Sequence, residues 1–92
     1  MIARDRAEVV AIGALGWLAG EELLDAFSHS TGIGTNEMGA RAEDPEFLGA
    51  VLDFVLGRDD WVIGAAAAQD LPPEALLEAR AALPGGDQHH WT

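Results

Sequence analysis

Apolar residues recur along this chain at the three- and four-residue spacings of α-helices, and strand-like alternation is rare. In residues 21–31, for example, Leu23, Leu24 and Phe27 fall on one side of a helix. The pattern predicts helices over about 5–20, 21–31, 35–42 and 45–57, then one that starts at Asp59 or Asp60 and one that starts at Leu71-Pro72-Pro73-Glu74.

Several of these helices have recognisable start signals. Asp5 is placed to cap the first, and Glu21 begins the second, where negative charge suits the helix dipole. Asp44-Pro45 is the strongest signal, with Asp44 as the cap and Pro45 at the first helical position. Pro72 is the expected cap of the last helix, with Leu71 packing on the turn that follows.

The helix at 45–57 is apolar around most of its circumference, which is typical of a buried helix. We therefore expect Phe47, Val51, Phe54 and Val55 to be almost fully buried. Asp53 falls on its one narrow polar strip, so we expect that carboxylate to be in water.

The fold class predicted by these observations is all-α. A compact single domain of five or six short helices, packed around the central buried helix at about 45–57, is expected to occupy residues 1–86. Residues 87–92 form a C-terminal tail. Two glycines in the first helix, Gly13 and Gly16, weaken it by propensity, so we expect a neighbouring helix to approach closely there.

The net charge of the chain indicates which classes of partner it can bind. Sixteen acidic residues stand against five arginines and no lysine, for a formal net charge of −11. Such a surface repels phosphate backbones and anionic lipid headgroups and favours solubility or basic protein patches. We expect no nucleic acid and no membrane among the partners, and an unknown protein or a second copy instead.

The N-terminal region resembles a signal peptide only in outline. Arg4 and Arg6 precede an apolar run, but Asp5 and Glu8 dilute the basic charge and no A-x-A cleavage site follows. That run is also shorter than the ~20 apolar residues needed to span a bilayer. The chain has no cysteine, which agrees with a reducing compartment, and we expect a cytoplasmic protein.

The segment TGIGTNEM at 31–38 separates two predicted helices, so residues 21–42 have the local outline of a helix-turn-helix. Its second helix offers Asn36, Glu37 and Arg41 to a nucleic acid, with further acidic residues close by. Gly32 and Gly34 are explained more simply as a helix stop and a tight turn, with Ile33 plugging the core. A nucleic-acid binder that uses this 21–42 elbow remains the alternative function.

Metal binding and catalysis have little support. Glu22, Asp25 and His29 share a helical face at metal-ligand spacing, but an exposed ion pair between Asp25 and His29 is the simpler expectation. His89 and His90 lack a fixed third ligand. We expect no metal site, no cofactor and no catalytic residue.

Three tryptophans, Trp17, Trp61 and Trp91, differ in their surroundings. Trp17 is expected in the core and Trp61 half-buried, whereas Trp91 either folds back onto the domain or docks on a partner. The possible interaction surface predicted from the sequence is Trp91, Trp61, Glu37 and Arg41.

The segments GWLAGEELLDAF, RAEDPEFLGAVLDFVL and LPPEALLEARAALPGG, with the closing HWT, resemble family 3572 of the domains of unknown function. That resemblance implies a small helical cytoplasmic protein, found mainly in alphaproteobacteria, and supplies no activity or site residues. The leading functional hypothesis is a protein–protein interaction or regulatory module that is not an enzyme.

Overall fold

The computed structural model describes residues 3–84 and contains helices throughout that range. Six α-helices and one short 3₁₀ turn follow each other through short connections: α1 Arg4–Gly20, α2 Leu24–Thr31, the 3₁₀ turn Thr35–Glu37, α3 Met38–Arg41, α4 Pro45–Leu56, α5 Asp59–Ala67 and α6 Glu74–Ala81. The predicted all-α class is confirmed. The predicted interaction residue Trp91 and the tail at 87–92 lie outside the residues described.

Two helix starts predicted from charge were wrong, whereas the first helix ends at Gly20 as predicted. α1 begins at Arg4 after Ala3, which makes no side-chain cap, and Asp5 lies inside its first turn. Glu21 is the C-cap of α1 and does not begin α2. Glu22 then adopts a left-handed backbone with φ of 61°, and the Leu23 amide donates to the Leu18 carbonyl at 2.9 Å. This left-handed turn ends α1 before α2 begins.

The segment after α2 is a helix stop followed by a turn, which was the simpler of the two interpretations of the sequence. Gly32 caps α2 in the left-handed conformation, at φ of 78°, where glycine carries no steric cost. Ile33 packs partly buried against the core, and its amide donates to the Thr31 hydroxyl at 3.2 Å. The turn thus ends one helix and orients the next.

α4 begins as predicted. The Asp44 carboxylate accepts a hydrogen bond from the Glu46 amide at 3.0 Å, and Pro45 takes the first helical position. Its buried residues form the centre of the fold: Phe47, Leu48, Gly49, Val51, Leu52 and Val55. Phe54 is only half-buried, contrary to expectation, because it lies on the flank of α4 that packs against Trp61 of α5.

The starts of the last two helices also differ from the prediction. Arg58 holds the cap position of α5, and neither Asp59 nor Asp60 caps it. Pro73, one residue later than expected, precedes α6.

α1 also contributes to the core, with smaller side chains than α4. Its inner face buries a row of mostly small residues: Ala7, Val10, Ala11, Ala14 and Leu18. α1 and α4 pack against each other, and α5 and α6 each contact both of them. Because small side chains line the inner face of α1, the other helices can approach it closely. Within residues 3–84, no helix is long and apolar enough to cross a membrane.

Candidate functional site on the outer face of the first helix

Trp61 is half-buried at the start of α5, as expected. Its ring packs on Phe54, with centroids 5.0 Å apart, and the Arg58 guanidinium lies 4.8 Å from the ring centroid. Arg58 also makes two hydrogen bonds of 3.1 Å to Asp60, which lower the pKa of that exposed carboxyl below its ordinary value. Trp61 therefore packs between Arg58, which precedes α5, and Phe54 of α4.

Glu37 and Arg41 are exposed and lie one helical turn apart. Their side chains approach to 3.9 Å, and Glu37 also accepts a hydrogen bond from the Gly34 amide at 3.3 Å. Through these contacts Glu37 stabilises the turn that precedes α3. Of the residues predicted as an interaction surface, Trp61 lies on α5, Glu37 in the 3₁₀ turn and Arg41 in α3.

The residues considered for metal binding are not arranged as predicted. Glu22 lies in the left-handed turn before α2, so it does not share a helical face with Asp25 and His29. The His29 ring nitrogen contacts the backbone carbonyl of Asp25 at 3.3 Å, not its carboxylate. Residues 3–84 contain no cluster of three or more His, Asp or Glu that could hold a metal ion.

The helix-turn-helix outline is incomplete at its second helix. α3 spans only the four residues Met38–Arg41, after the 3₁₀ turn, and Met38 is buried in the core. One turn of helix presents few side chains to a groove, and the charge of Arg41 faces Glu37.

The most unusual surface is the outer side of α1. Val9 and Ile12 are 56% and 47% exposed, and Gly16 lies on the same side at helical spacing. No residue from 9 to 20 carries a charge. A helix that is apolar all round is normally buried, yet half of this one faces solvent.

α5 packs against one flank of α1. The Trp17 ring lies across Gly64, where a Cβ would meet its Cζ2 atom at 2.7 Å, and the Gln69 side-chain amide donates to the Val10 carbonyl at 3.1 Å. The two helices therefore run antiparallel. Ile63, next to Gly64, is 59% exposed. We define the α1–α5 face as the exposed, uncharged residues of these two packed helices: Val9, Ile12, Gly16, Ile63 and Ala67.

An acidic hollow lies at the C-terminal end of α1. It is a shallow depression of about 280 Å³, lined by Ala19, Glu22, Leu24 and Asp25 and open to solvent. Because Ala19 belongs to the exposed side of α1, the hollow continues the apolar surface. It places two carboxylates at one end of that surface.

The sequence did not reveal this face. Trp17, expected in the core, is half-buried, since it lies on the edge of α1 that covers Gly64. Close packing explains Gly13, whose missing side chain makes room for Gln69, but not Gly16, which is exposed. A helix without a polar side gives no signal of which side faces water.

One family model, described as "Protein of unknown function (DUF3572)", matches residues 4–86. No curated protein and no solved structure matches the chain.

Proposed function

This chain belongs to the DUF3572 family, whose function is unknown, and we propose that it is a protein-binding module with no catalytic activity of its own. The observation that carries the proposal is the exposed, uncharged side of α1. Val9 and Ile12 leave about half of their surface in water on a helix that has no charged side chain between residues 9 and 20.

Contact with another protein would remove this apolar surface from water. Burial of apolar area contributes roughly 25 cal/mol per Å², so several exposed branched side chains on one face are a source of binding free energy. Contiguous apolar surface on a small protein commonly marks an interaction site. Ile63 of the neighbouring helix α5 is exposed as well.

Charge supports a protein partner over nucleic acid. The formal charge of −11 opposes a phosphate backbone, and the exposed Arg41 of the elbow lies beside Glu37. The buried residues of the described chain are all apolar or glycine, with no buried charged or polar side chain of the kind that active sites commonly use. We place the module in the cytoplasm, as its sequence suggests.

Affinity capture tests this function. The full chain, tagged and expressed at its native level, is recovered from its own cells after mild crosslinking, and co-purifying proteins are identified by mass spectrometry. We expect at least one protein to be enriched and to bind the purified chain saturably, with a Kd at or below about 10 μM. If no enriched protein binds the purified chain, the proposal is wrong. A preparation tagged at the opposite terminus controls for a tag that blocks the site.

A further inference from the structure

Two uncharged segments lie side by side on the α1–α5 face. Residues 9–20 of α1 and 61–68, which begin in α5, contain no charged side chain. The contacts of Trp17 with Gly64 and of Val10 with Gln69 hold the segments antiparallel. A partner that lies along α1 therefore meets apolar surface over several helical turns.

Gly16 makes this surface suitable for a helix. A Cβ at Gly16 would meet nothing within 4 Å beyond its own stretch of helix, in the part of the chain that the structure describes. Gly20, one turn later, is equally open. No contact within residues 3–84 explains either glycine. A small residue on an exposed helix allows a second helix to approach closely and pack along it.

The two ends of the face differ in charge. Near the end of α1, Glu21, Glu22 and Asp25 are exposed, and the antiparallel register brings the start of α5, with Asp59, to the same end. The backbone dipole of α1 is negative at this end as well. A positively charged side chain is therefore attracted there.

A second copy of this chain is a poor occupant for this reason. The first turns of α1 carry Arg4 and Arg6, but Asp5 and Glu8 cancel their charge, and Arg4 already pairs with Glu8 at 3.6 Å. In an antiparallel arrangement the copy would thus bring no net positive charge to the acidic end. In a parallel arrangement it would bring a second set of carboxylates.

We propose that the α1–α5 face binds an amphipathic helix of another protein, with its apolar side along α1 and a Lys or Arg at one end in the acidic hollow. This inference rests on the proposed function and specifies its partner. The apolar contact supplies most of the affinity, and the hollow fixes the direction in which the helix lies.

Selection from a displayed library of single helices tests the inference, with the full chain as bait. We expect the enriched helices to share a small or apolar side and a Lys or Arg near one end. The strongest is synthesised and its Kd is measured by calorimetry. Ile12→Glu should raise the Kd of this peptide at least about tenfold, because the substitution places a charge in the apolar contact.

Leu77→Glu is the matched control. Leu77 is 60% exposed, and Arg80, its neighbour one turn along α6, binds Asp53 of α4, so Leu77 lies on the flank of α6 away from α1. Leu77→Glu should change the Kd of the peptide by less than about twofold. Unchanged thermal melting of both variants shows that the fold is intact.

A charge cycle tests the hollow separately. The double variant Glu22→Gln, Asp25→Asn should raise the Kd of the peptide at least about tenfold. The same change should have little effect on a peptide whose terminal Lys is replaced by norleucine.

Several outcomes would overturn the inference. Enriched helices without an excess of Lys or Arg, or peptides that bind Ile12→Glu unchanged, contradict it directly. A dimer of the wild-type chain that Ile12→Glu dissociates would make a second copy the occupant. A tenfold gain in peptide affinity on Trp91→Ala would assign the face to this chain's own C-terminal residues. A captured natural partner that still binds Ile12→Glu overturns the inference and leaves the proposed function standing.

Discussion

Arg80 of α6 binds Asp53 of α4 through two hydrogen bonds, from Nε at 2.6 Å and from Nη2 at 3.0 Å. Its guanidinium lies over Gly49, where a Cβ would come within 2.8 Å of Nη1, and it also donates to the Pro84 carbonyl at 2.9 Å. The polar strip expected on α4 is thus partly covered by a side chain from α6. Arg80 ties both helices to the end of the described chain.

Arg80→Ala should lower the free energy of unfolding by about 1–2 kcal/mol. Two-point hydrogen bonds between charged groups are strong, but the Asp53 side chain is 42% exposed and water screens the pair. Urea denaturation followed by circular dichroism measures the change. Arg4→Ala, which removes the exposed pair with Glu8, should cost less than about 0.5 kcal/mol. Equal losses would contradict a special role for Arg80.

Phe27→Ala should destabilise the protein more than Phe54→Ala. Phe27 is fully buried and meets Phe47 and Phe54 edge-on, with ring centroids 5.8 and 5.4 Å apart, whereas Phe54 is half-buried. Truncating a buried Phe costs about 3–5 kcal/mol, and truncating a partly exposed one costs less because water already reaches its ring. Denaturation midpoints of the two variants compare them. A larger loss for Phe54→Ala would show that α4 is turned further towards the core than the structure has it.

Glu22→Gly should stabilise the protein by about 1 kcal/mol, since glycine carries no steric cost in the left-handed conformation. Asp70 has a similar backbone, with φ of 57°, but aspartate tolerates this region better than glutamate does. Asp70→Gly should therefore gain less. Thermal melting measures both. A loss of stability in Glu22→Gly would mean that the Glu22 carboxylate contributes more to the fold than its backbone strain costs.

The sequence predicted the helices best where a side chain acts locally. Asp44 and Pro45 fix the start of α4 through their own backbone geometry, and Gly32 ends α2 for the same reason. Glu22 misled the prediction, because glutamate is common in the first turn of a helix and rare in a left-handed cap. Nothing in the sequence distinguishes these two uses. In the folded chain the hydrogen bond from the Leu23 amide to the Leu18 carbonyl accompanies the left-handed conformation of Glu22.

The candidate site could not be read from the sequence for a related reason. Periodicity identifies the buried side of a helix only when the other side is polar, and α1 from Val9 to Gly20 has no polar side. Only the placement of α4, α5 and α6 around α1 reveals which apolar residues remain exposed. The acidic hollow likewise depends on the turn at Glu22, which brings Asp25 of α2 back towards Ala19.

Duplex DNA should show no saturable binding below the micromolar range, even at low salt. Lowering the salt concentration lengthens the range of charge repulsion, and the formal net charge of the chain is −11. Fluorescence anisotropy with a labelled duplex measures this, with a basic helix-turn-helix domain as the positive control. Tight binding that weakens as salt is added would instead favour the 21–42 elbow as a nucleic-acid reader.

Gly16→Ala and Gly64→Ala should have opposite effects on stability. Alanine favours a helix over glycine by about 1 kcal/mol, and the space beside Gly16 is open, so Gly16→Ala should raise the melting temperature. At Gly64 the new methyl group would overlap the Trp17 ring at 2.7 Å, so that Gly64→Ala should lower it despite the same gain in propensity. Differential scanning calorimetry measures both. If the α1–α5 face binds a helix, Gly16→Ala should also raise the Kd of the selected peptide, because the methyl group holds the partner helix away from α1. A more stable chain that binds less tightly would explain why α1 has a glycine at a position where its own fold does not require one.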